Sequence, residues 1–419
     1  MAQRSFLLSC IGCFFTLLSF AQDTSLHTVP NRSNSAVQQQ KPYVILISID
    51  GMRYDFAEKY HAKNLLRLSA NGVRAKSMQP SFPTLTFPNH YTLVTGLYPA
   101  HHGLVDNDFY DPQRRKRYYV HDRDAVEDGS WYGGTPLWVL AEKQQMVSAS
   151  YYWVGSEAAI QDTRPTYSFT YNEKQGIDQR IQQVVDWLSL PADKRPHLVA
   201  FYFPDVDHAA HYAGPDSDSA RKAVQFVDES IGKMVQTVGR LKLPVNFIVV
   251  SDHGMAQVDL QHPIYIDSTL NLSDCKLSLG NEKVMIYNSD TARIRQLYDT
   301  LKAKADHYRV FLKKETPARW HYGQEDRYNR IGDLILVADA GYVFSRENMR
   351  TYPGHHGYDN NDTRMNATFM AWGPAFKKHY TQPAFANVHV YPLITSILGL
   401  KITEPVDGKA AVLKNILQK

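Results

Sequence analysis

Three continuous apolar runs in this chain lead into acidic residues, and that conjunction restricts the fold more than any other feature. Tyr43 to Ile49 runs directly into Asp50-Gly51. Leu198 to Phe203 is followed by Pro204 and then Asp207. Val245 to Val250 runs into Ser251-Asp252-His253-Gly254. A short apolar run rich in β-branched residues, without polar alternation, is the pattern of a strand buried on both faces. Between the runs the period turns helical: Val224, Val227, Ile231, Met234, Val235 and Val238 mark one face of a helix over 221–241. Strands alternating with helices predict an α/β fold, a mainly parallel central sheet with helices on both faces. Ligands bind such sheets beyond the carboxyl ends of the strands, which is where these acids fall. Runs at 334–338 and 367–372 predict further strands. Residues 255–350 show weaker periodicity and read as a small inserted subdomain within one unit spanning 41–419.

The N-terminus has the pattern of an export signal over 1–22. Arg4 precedes an apolar run from Phe6 to Phe20, with small residues before a cleavage point near Ala21 or Gln22. A membrane anchor is the alternative, but the run is short for a bilayer span. Lipid attachment at Cys10, after Leu7-Leu8-Ser9, is another. With Cys10 and Cys13 inside the signal, Cys275 is alone in the mature chain, so no internal disulfide supports it. That fits a periplasmic or secreted protein stabilised by its core and metals. Residues 23–40, rich in Ser, Asn and Gln, read as a flexible leader. The net charge of +4 is scattered, with no basic stripe, which disfavours duplex nucleic acid as a partner.

The chemistry-bearing residues cluster around Pro83-Thr84-Leu85-Thr86-Phe87-Pro88-Asn89-His90. Pro is tolerated in a first helical turn, so Thr86 is expected at a helix N-terminus, where free N–H groups and the dipole favour a phosphate. The alternative is a Thr that only caps the helix. Asp207 and His211 have i, i+4 spacing, which lets one cation take both. Asp252 with His253, Asp50, and His356 in Gly354-His355-His356-Gly357 add further ligands. Imidazole mixed with carboxylate suits zinc. A hydroxyl among such ligands is what two-zinc phosphoryl transfer needs, because an unassisted Thr is a poor nucleophile at neutral pH. Asn107 is either a turn residue or an amide donor to a phosphoryl oxygen.

Taken together, these residues resemble the nucleotide pyrophosphatase/phosphodiesterase family of the alkaline phosphatase superfamily. The most specific parts are Pro83 to Tyr91, Val94-Thr95-Gly96-Leu97-Tyr98-Pro99, His102-Gly103 and His356-Gly357-Tyr358-Asp359-Asn360. The resemblance implies an alkaline-phosphatase-like fold and two Zn2+ ions. Asp50, Thr86, Asp252 and His253 would hold one ion; Asp207, His211 and His356 would hold the other. Asp207 rather than Asp205 fits the family register, because His211 and Gly214-Pro215 follow at the matching spacing. The resemblance also assigns Asn107 to a phosphate oxygen, Phe87 and Tyr171 to stacking on a nucleotide base, and Trp153 and Glu157 to the pocket, with Val154 where the family usually has Pro.

The implied activity is hydrolysis of nucleotide phosphodiester or pyrophosphate bonds through a phospho-threonine intermediate, releasing nucleoside 5′-monophosphates. A lysophospholipid or choline-phosphate diesterase, or another phosphoester or phosphonate hydrolase, is the alternative. A non-catalytic binding protein is disfavoured because Thr86 and every matched ligand are present. The implied partner is a small-molecule substrate and the implied state a monomer. The disulfide-rich modules and nuclease-like domain of animal members have no counterpart in this sequence.

Overall fold

A computed structural model of the chain describes residues 25–266, 270–346 and 351–418. The proposed signal at 1–22 lies outside them. The central sheet has nine strands. In chain order these are Leu26–Thr28 (β1), Tyr43–Ile49 (β2), Val73–Ala75 (β3), Ser148–Tyr151 (β4), Tyr167–Phe169 (β5), Leu198–Phe203 (β6), Val245–Val250 (β7), Phe369–Trp372 and Tyr380–Gln382. A second sheet uses Lys276–Leu279 (β8), Lys283–Tyr287 (β9), Tyr308–Leu312 (β10) and Leu334–Ala338 (β11), so Phe369–Trp372 becomes β12 and Tyr380–Gln382 β13.

Across the central sheet the order is β1-β5-β4-β6-β2-β7-β12-β3-β13. The five strands from β5 to β7 are mutually parallel. β12 is antiparallel to both its neighbours, and β1 is antiparallel to β5. The three runs that head toward Asp50, Asp207 and Asp252 are adjacent. Ile49 pairs with Phe203 and Ser48 with Val250, so the three strands end at one level.

Successive side chains of β2 serve two layers, as the period of a strand requires. Val44 and Leu46 join one hydrophobic cluster, while Ile45, Ile47 and Ile49 join the other. The first layer is closed by helices Thr86–Thr95 (α2), Leu137–Lys143 (α3) and Val390–Leu398 (α8). The second is closed by Lys63–Ala70 (α1), Ile177–Ser189 (α4), Asp205–Ala213 (α5) and Asp218–Gly239 (α6). The helix expected over 221–241 starts earlier, because Ser217 caps it: its Oγ accepts the Ala220 N–H.

The second sheet is antiparallel in order β8-β9-β11-β10. One of its faces, with Met285, Tyr287, Ile335 and Val337, packs into the first core layer. The other, with Val284, Ile286, Leu334 and Leu336, is covered by helix Thr291–Ala303 (α7). The run at 334–338 is therefore a strand of this sheet. At its foot, Ala256–Gln257 pairs with Gly354–His355, joining the segment's entry to its exit.

The flexible leader expected at 23–40 is a correction. From residue 25 onward the segment is fastened to the body. β1 hydrogen-bonds along β5, and buried Asn34 donates to the carbonyls of Ala192 and Arg195 and accepts the Val147 N–H. Main-chain pairing and one buried amide order a stretch whose composition alone looked unstructured. Among the described residues no helix is long and apolar enough to cross a membrane.

Candidate active site

Asp50 leaves β2 into a sharp turn at Gly51, whose φ of +67° is costly for any side chain. A Cβ at Gly51 would also meet the Asp207 Cα at 2.9 Å. The glycine lets two strand ends approach closely, and its N–H donates to Asp252 Oδ1 at 3.2 Å. Asp207 and His211 lie one turn apart on α5, with Oδ1 to Nε2 at 3.5 Å. The seven residues expected to gather do so. His253 Nε2 is 2.9 Å from Asp252 Oδ2, 3.5 Å from Asp50 Oδ1 and 3.3 Å from Thr86 Oγ1. His356 Nε2 is 3.6 Å from Asp207 Oδ1 and 3.0 Å from His211 Nε2.

All three imidazoles are held in one way. The Nδ1–H of His211 donates to the Gly354 carbonyl (2.7 Å), that of His253 to the Gly254 carbonyl (2.9 Å), and that of His356 to the Thr84 carbonyl (2.9 Å). A carbonyl on Nδ1 leaves Nε2 with its lone pair aimed into the cluster, the orientation a metal ligand needs. The facing Nε2 atoms of His211 and His356 would repel each other without a cation between them. Three carboxylate oxygens, Asp50 Oδ1, Asp207 Oδ1 and Asp252 Oδ2, are buried without a hydrogen bond. Buried orphans of this kind are costly and call for a positive partner.

The titration pattern follows from the crowding. Burial raises the Asp50 carboxyl well above its usual range, and the charges of Asp252 and Asp207 push it further. Burial opposes ionisation of Asp252 too, but the imidazoles of His253 and His90 outweigh it and hold this carboxyl low. Burial, then His253 and His211, drives His356 well below the usual histidine range. Two buried sets can each hold a metal ion: Asp50, Asp252 and His253, and Asp207, His253 and His356. His253 belongs geometrically to both, and its ring stacks on His356 at 3.5 Å. His211 stands beside the second set through its contacts with Asp207 and His356. Mixed carboxylate and imidazole donors fit zinc.

Thr86 is the first residue of α2, and extended Leu85 occupies the cap position. Leu85 takes the cap position without a side-chain cap bond, so Thr86 is not the cap, and its hydroxyl faces His253. By position, the Thr86 N–H has no intrahelical acceptor. Asn107 Oδ1 accepts the Phe87 N–H at 3.0 Å, which turns the Asn107 amide N–H2 away from that bond and free for an anion.

Phe87 is half-buried, edge-on to Tyr118. Tyr171, also half-buried, packs against Tyr202 and Tyr152. Trp153 lies deeper than the two stacking candidates, and Glu157 is half-buried like them. Trp153 is buried edge-on against His90 and donates its Nε1–H to the His90 carbonyl, leaving no face for a ligand. Glu157 accepts the Tyr171 N–H on Oε1 and lies 2.8 Å from Arg123 through Oε2. Both are held by protein contacts in the wall beside His90 and Tyr171.

Sequence reasoning missed the groups that orient the ligands. Tyr202 donates its hydroxyl to Asp50 Oδ2 at 2.6 Å. His90 contacts Asp252 Oδ2 at 3.3 Å and donates to the Thr86 carbonyl, while its Nε2 meets Ser48 Oγ at 2.7 Å. Helical spacing from Thr86 was a usable signal for His90. Tyr202, inside an apolar run, offered none.

The sequence profile of the type I phosphodiesterase / nucleotide pyrophosphatase family matches residues 44–359. An uncharacterized pyrophosphatase/phosphodiesterase of Schizosaccharomyces pombe is 35% identical over 383 residues, covering 87% of this chain and 78% of that protein. A bis(5'-adenosyl)-triphosphatase of Xenopus laevis is 34% identical over 387 residues, 90% of this chain and 82% of that one. The structure of murine ectonucleotide pyrophosphatase/phosphodiesterase 5 superposes with a TM-score of 0.84 at 32% identity, covering 90% of this chain and 100% of that chain. The same murine protein has also been solved as an inactive threonine-to-alanine variant in complex with AMP.

Proposed function

This chain belongs to the type I phosphodiesterase / nucleotide pyrophosphatase family, whose members hydrolyse phosphodiester and pyrophosphate bonds, and we propose that it is a two-zinc enzyme releasing nucleoside 5′-monophosphates. It is a hydrolase of that class. The finer reading rests on one observation: a helix-terminal hydroxyl, Thr86 Oγ1, stands 3.3 Å from His253 among three buried carboxylates whose orphaned oxygens require cations.

Asp50, Thr86, Asp252 and His253 would hold one zinc and Asp207, His211 and His356 the other. Bound there, the metals supply a lowered hydroxyl pKa and neutralisation of phosphoryl charge. Thr86 Oγ attacks phosphorus as the bond to the leaving oxygen breaks, its proton passing to the departing oxygen or to solvent, giving a phospho-threonine. Water then cleaves the phosphorus–Oγ bond and restores Thr86. The Thr86 N–H and the Asn107 amide bind a non-bridging oxygen through donors already in place before reaction. Phe87 and Tyr171 hold the base between aromatic faces.

Diesters are favoured over dianionic monoesters because the matched motifs carry no Arg to hold a second phosphate charge. The name of the frog relative and the AMP held by the murine variant support a nucleotide substrate. The N-terminal sequence supports export. The test is hydrolysis of the p-nitrophenyl ester of thymidine 5′-monophosphate by purified protein with zinc. Turnover is expected, with a loss of roughly 10³-fold or more in Thr86→Ala, metal content being measured in both. Full turnover by that variant would overturn the assignment of Thr86.

A further inference from the structure

The phosphoryl contact assigned to Asn107 depends on where a short loop holds that residue, and the second sheet does much of the holding. The carbonyl of Val105 accepts the Tyr322 hydroxyl at 2.9 Å, and the carbonyl of Asp108 accepts the Ser278 hydroxyl. Between these bonds, the carboxylate of Asp106 pairs with the ammonium of Lys283, the first residue of β9. The Lys283 side chain is 0% exposed, and its Nζ also lies 3.4 Å from the Tyr322 hydroxyl.

A buried ammonium is expensive, and a buried ion pair adds less to stability than apolar residues of equal volume would. Here the pair joins two segments 177 residues apart, immediately beside Asn107. Its partner Asp106 also accepts the Asp108 N–H at 3.3 Å, so the carboxylate ties the ammonium to the backbone on the far side of Asn107.

We propose that Lys283 is a positioning residue for phosphoryl binding: through Asp106 it sets the placement of Asn107, so that the amide aligned by the Phe87 N–H meets the substrate's non-bridging oxygen. The proposal rests on the reading of Asn107 given above. It gives the inserted sheet a part in catalysis that its distance in sequence conceals.

A double-mutant cycle tests it. kcat/KM for the p-nitrophenyl ester of thymidine 5′-monophosphate is measured in wild type, Lys283→Met, Asn107→Ala and the double variant, with thermal midpoints for each. A residue acting through Asn107 loses its effect when Asn107 is gone. Lys283→Met should lower kcat/KM about 10- to 100-fold in wild type, the scale of a displaced binding group. In the Asn107→Ala background it should cost less than about twofold, although the midpoint falls similarly in both. Should Lys283→Met not fold, Lys283→Met with Asp106→Asn replaces the charged pair by neutral groups and takes its place in the cycle. Equal losses in both backgrounds, or no loss in wild type, overturn the proposal. No loss on Asn107→Ala alone overturns the role of Asn107 and this proposal with it, so the two failures are told apart.

Discussion

The most exposed consequence of the ligand geometry is the effect of Tyr202→Phe. The Tyr202 hydroxyl donates to Asp50 Oδ2 at 2.6 Å in a buried setting. Its pKa is driven well up by burial and then by Asp50, so it remains a donor throughout the neutral range. A hydrogen bond to a charged acceptor contributes about 1.5–3 kcal/mol, which corresponds to roughly 10- to 150-fold in an equilibrium constant. Loss of an outer partner of a metal ligand costs a similar 10- to 100-fold or so in metal affinity. Protons add to this in the same direction. Burial already raises Asp50, Tyr202 is a group that lowers it, and without that group Asp50 holds its proton against the metal more strongly. Half-activating free zinc, set with a metal buffer, should therefore rise about 10- to 100-fold. Turnover at saturating zinc should stay within about threefold of wild type, because the ligand set is intact. An unchanged zinc midpoint in a well-folded variant would refute this account of how Asp50 is held.

Three further outcomes are expected. Chelation at neutral pH should abolish turnover and lower the thermal midpoint by roughly 5 °C or more, since bound metal stabilises the folded state and its removal leaves three carboxylates facing one another; an unchanged calorimetric midpoint would count against the metal assignment. Tyr171→Ala should weaken binding of nucleotide esters roughly 5- to 150-fold, the span of one base–aromatic stack, while leaving hydrolysis of bis(p-nitrophenyl) phosphate unaffected; equal losses on both substrates would remove Tyr171 from base recognition. His102, fully buried, uses Nε2–H toward the Pro88 carbonyl and accepts the Leu104 N–H on Nδ1, and burial foremost holds its pKa down at about 3. Its contribution to stability is therefore present above the unfolded value of 6.5 and is lost as pH falls toward 3, with a slope of up to about 1.4 kcal/mol per pH unit. Denaturant titrations of His102→Gln should show that slope reduced, and an identical pH profile would exclude His102 as its source.

The strands and the acids and histidines gathered at their ends were legible in sequence for one reason. Both faces of β2, β6 and β7 are buried, so their apolar runs are uninterrupted, and the rule for parallel sheets puts function at their ends. Thr86, Asp50, Asp252 and His356 could be read because few residue types do their chemistry. The groups that aim them had no such signature. The carbonyls of Thr84 and Gly354, which orient His356 and His211, are backbone atoms present at every residue. Tyr202 reads as strand packing, and Lys283 as an ordinary surface lysine. Trp153 shows the converse failure: a sequence reveals an aromatic ring but not whether its face or its edge meets the site. The ordering of residues 25–40 was hidden because Asn34 and β1 act through main-chain bonds that composition does not report.

The two-rung clasp between Ala256–Gln257 and Gly354–His355 brings the entry and the exit of the inserted segment side by side. His253 and His356 sit just beyond the clasp, which brings their rings to 3.5 Å across a separation of about a hundred residues. The segment it closes off stays tied to the loop around Asn107 through Lys283, Tyr322 and Ser278, so one fold-back serves both sides of the cluster.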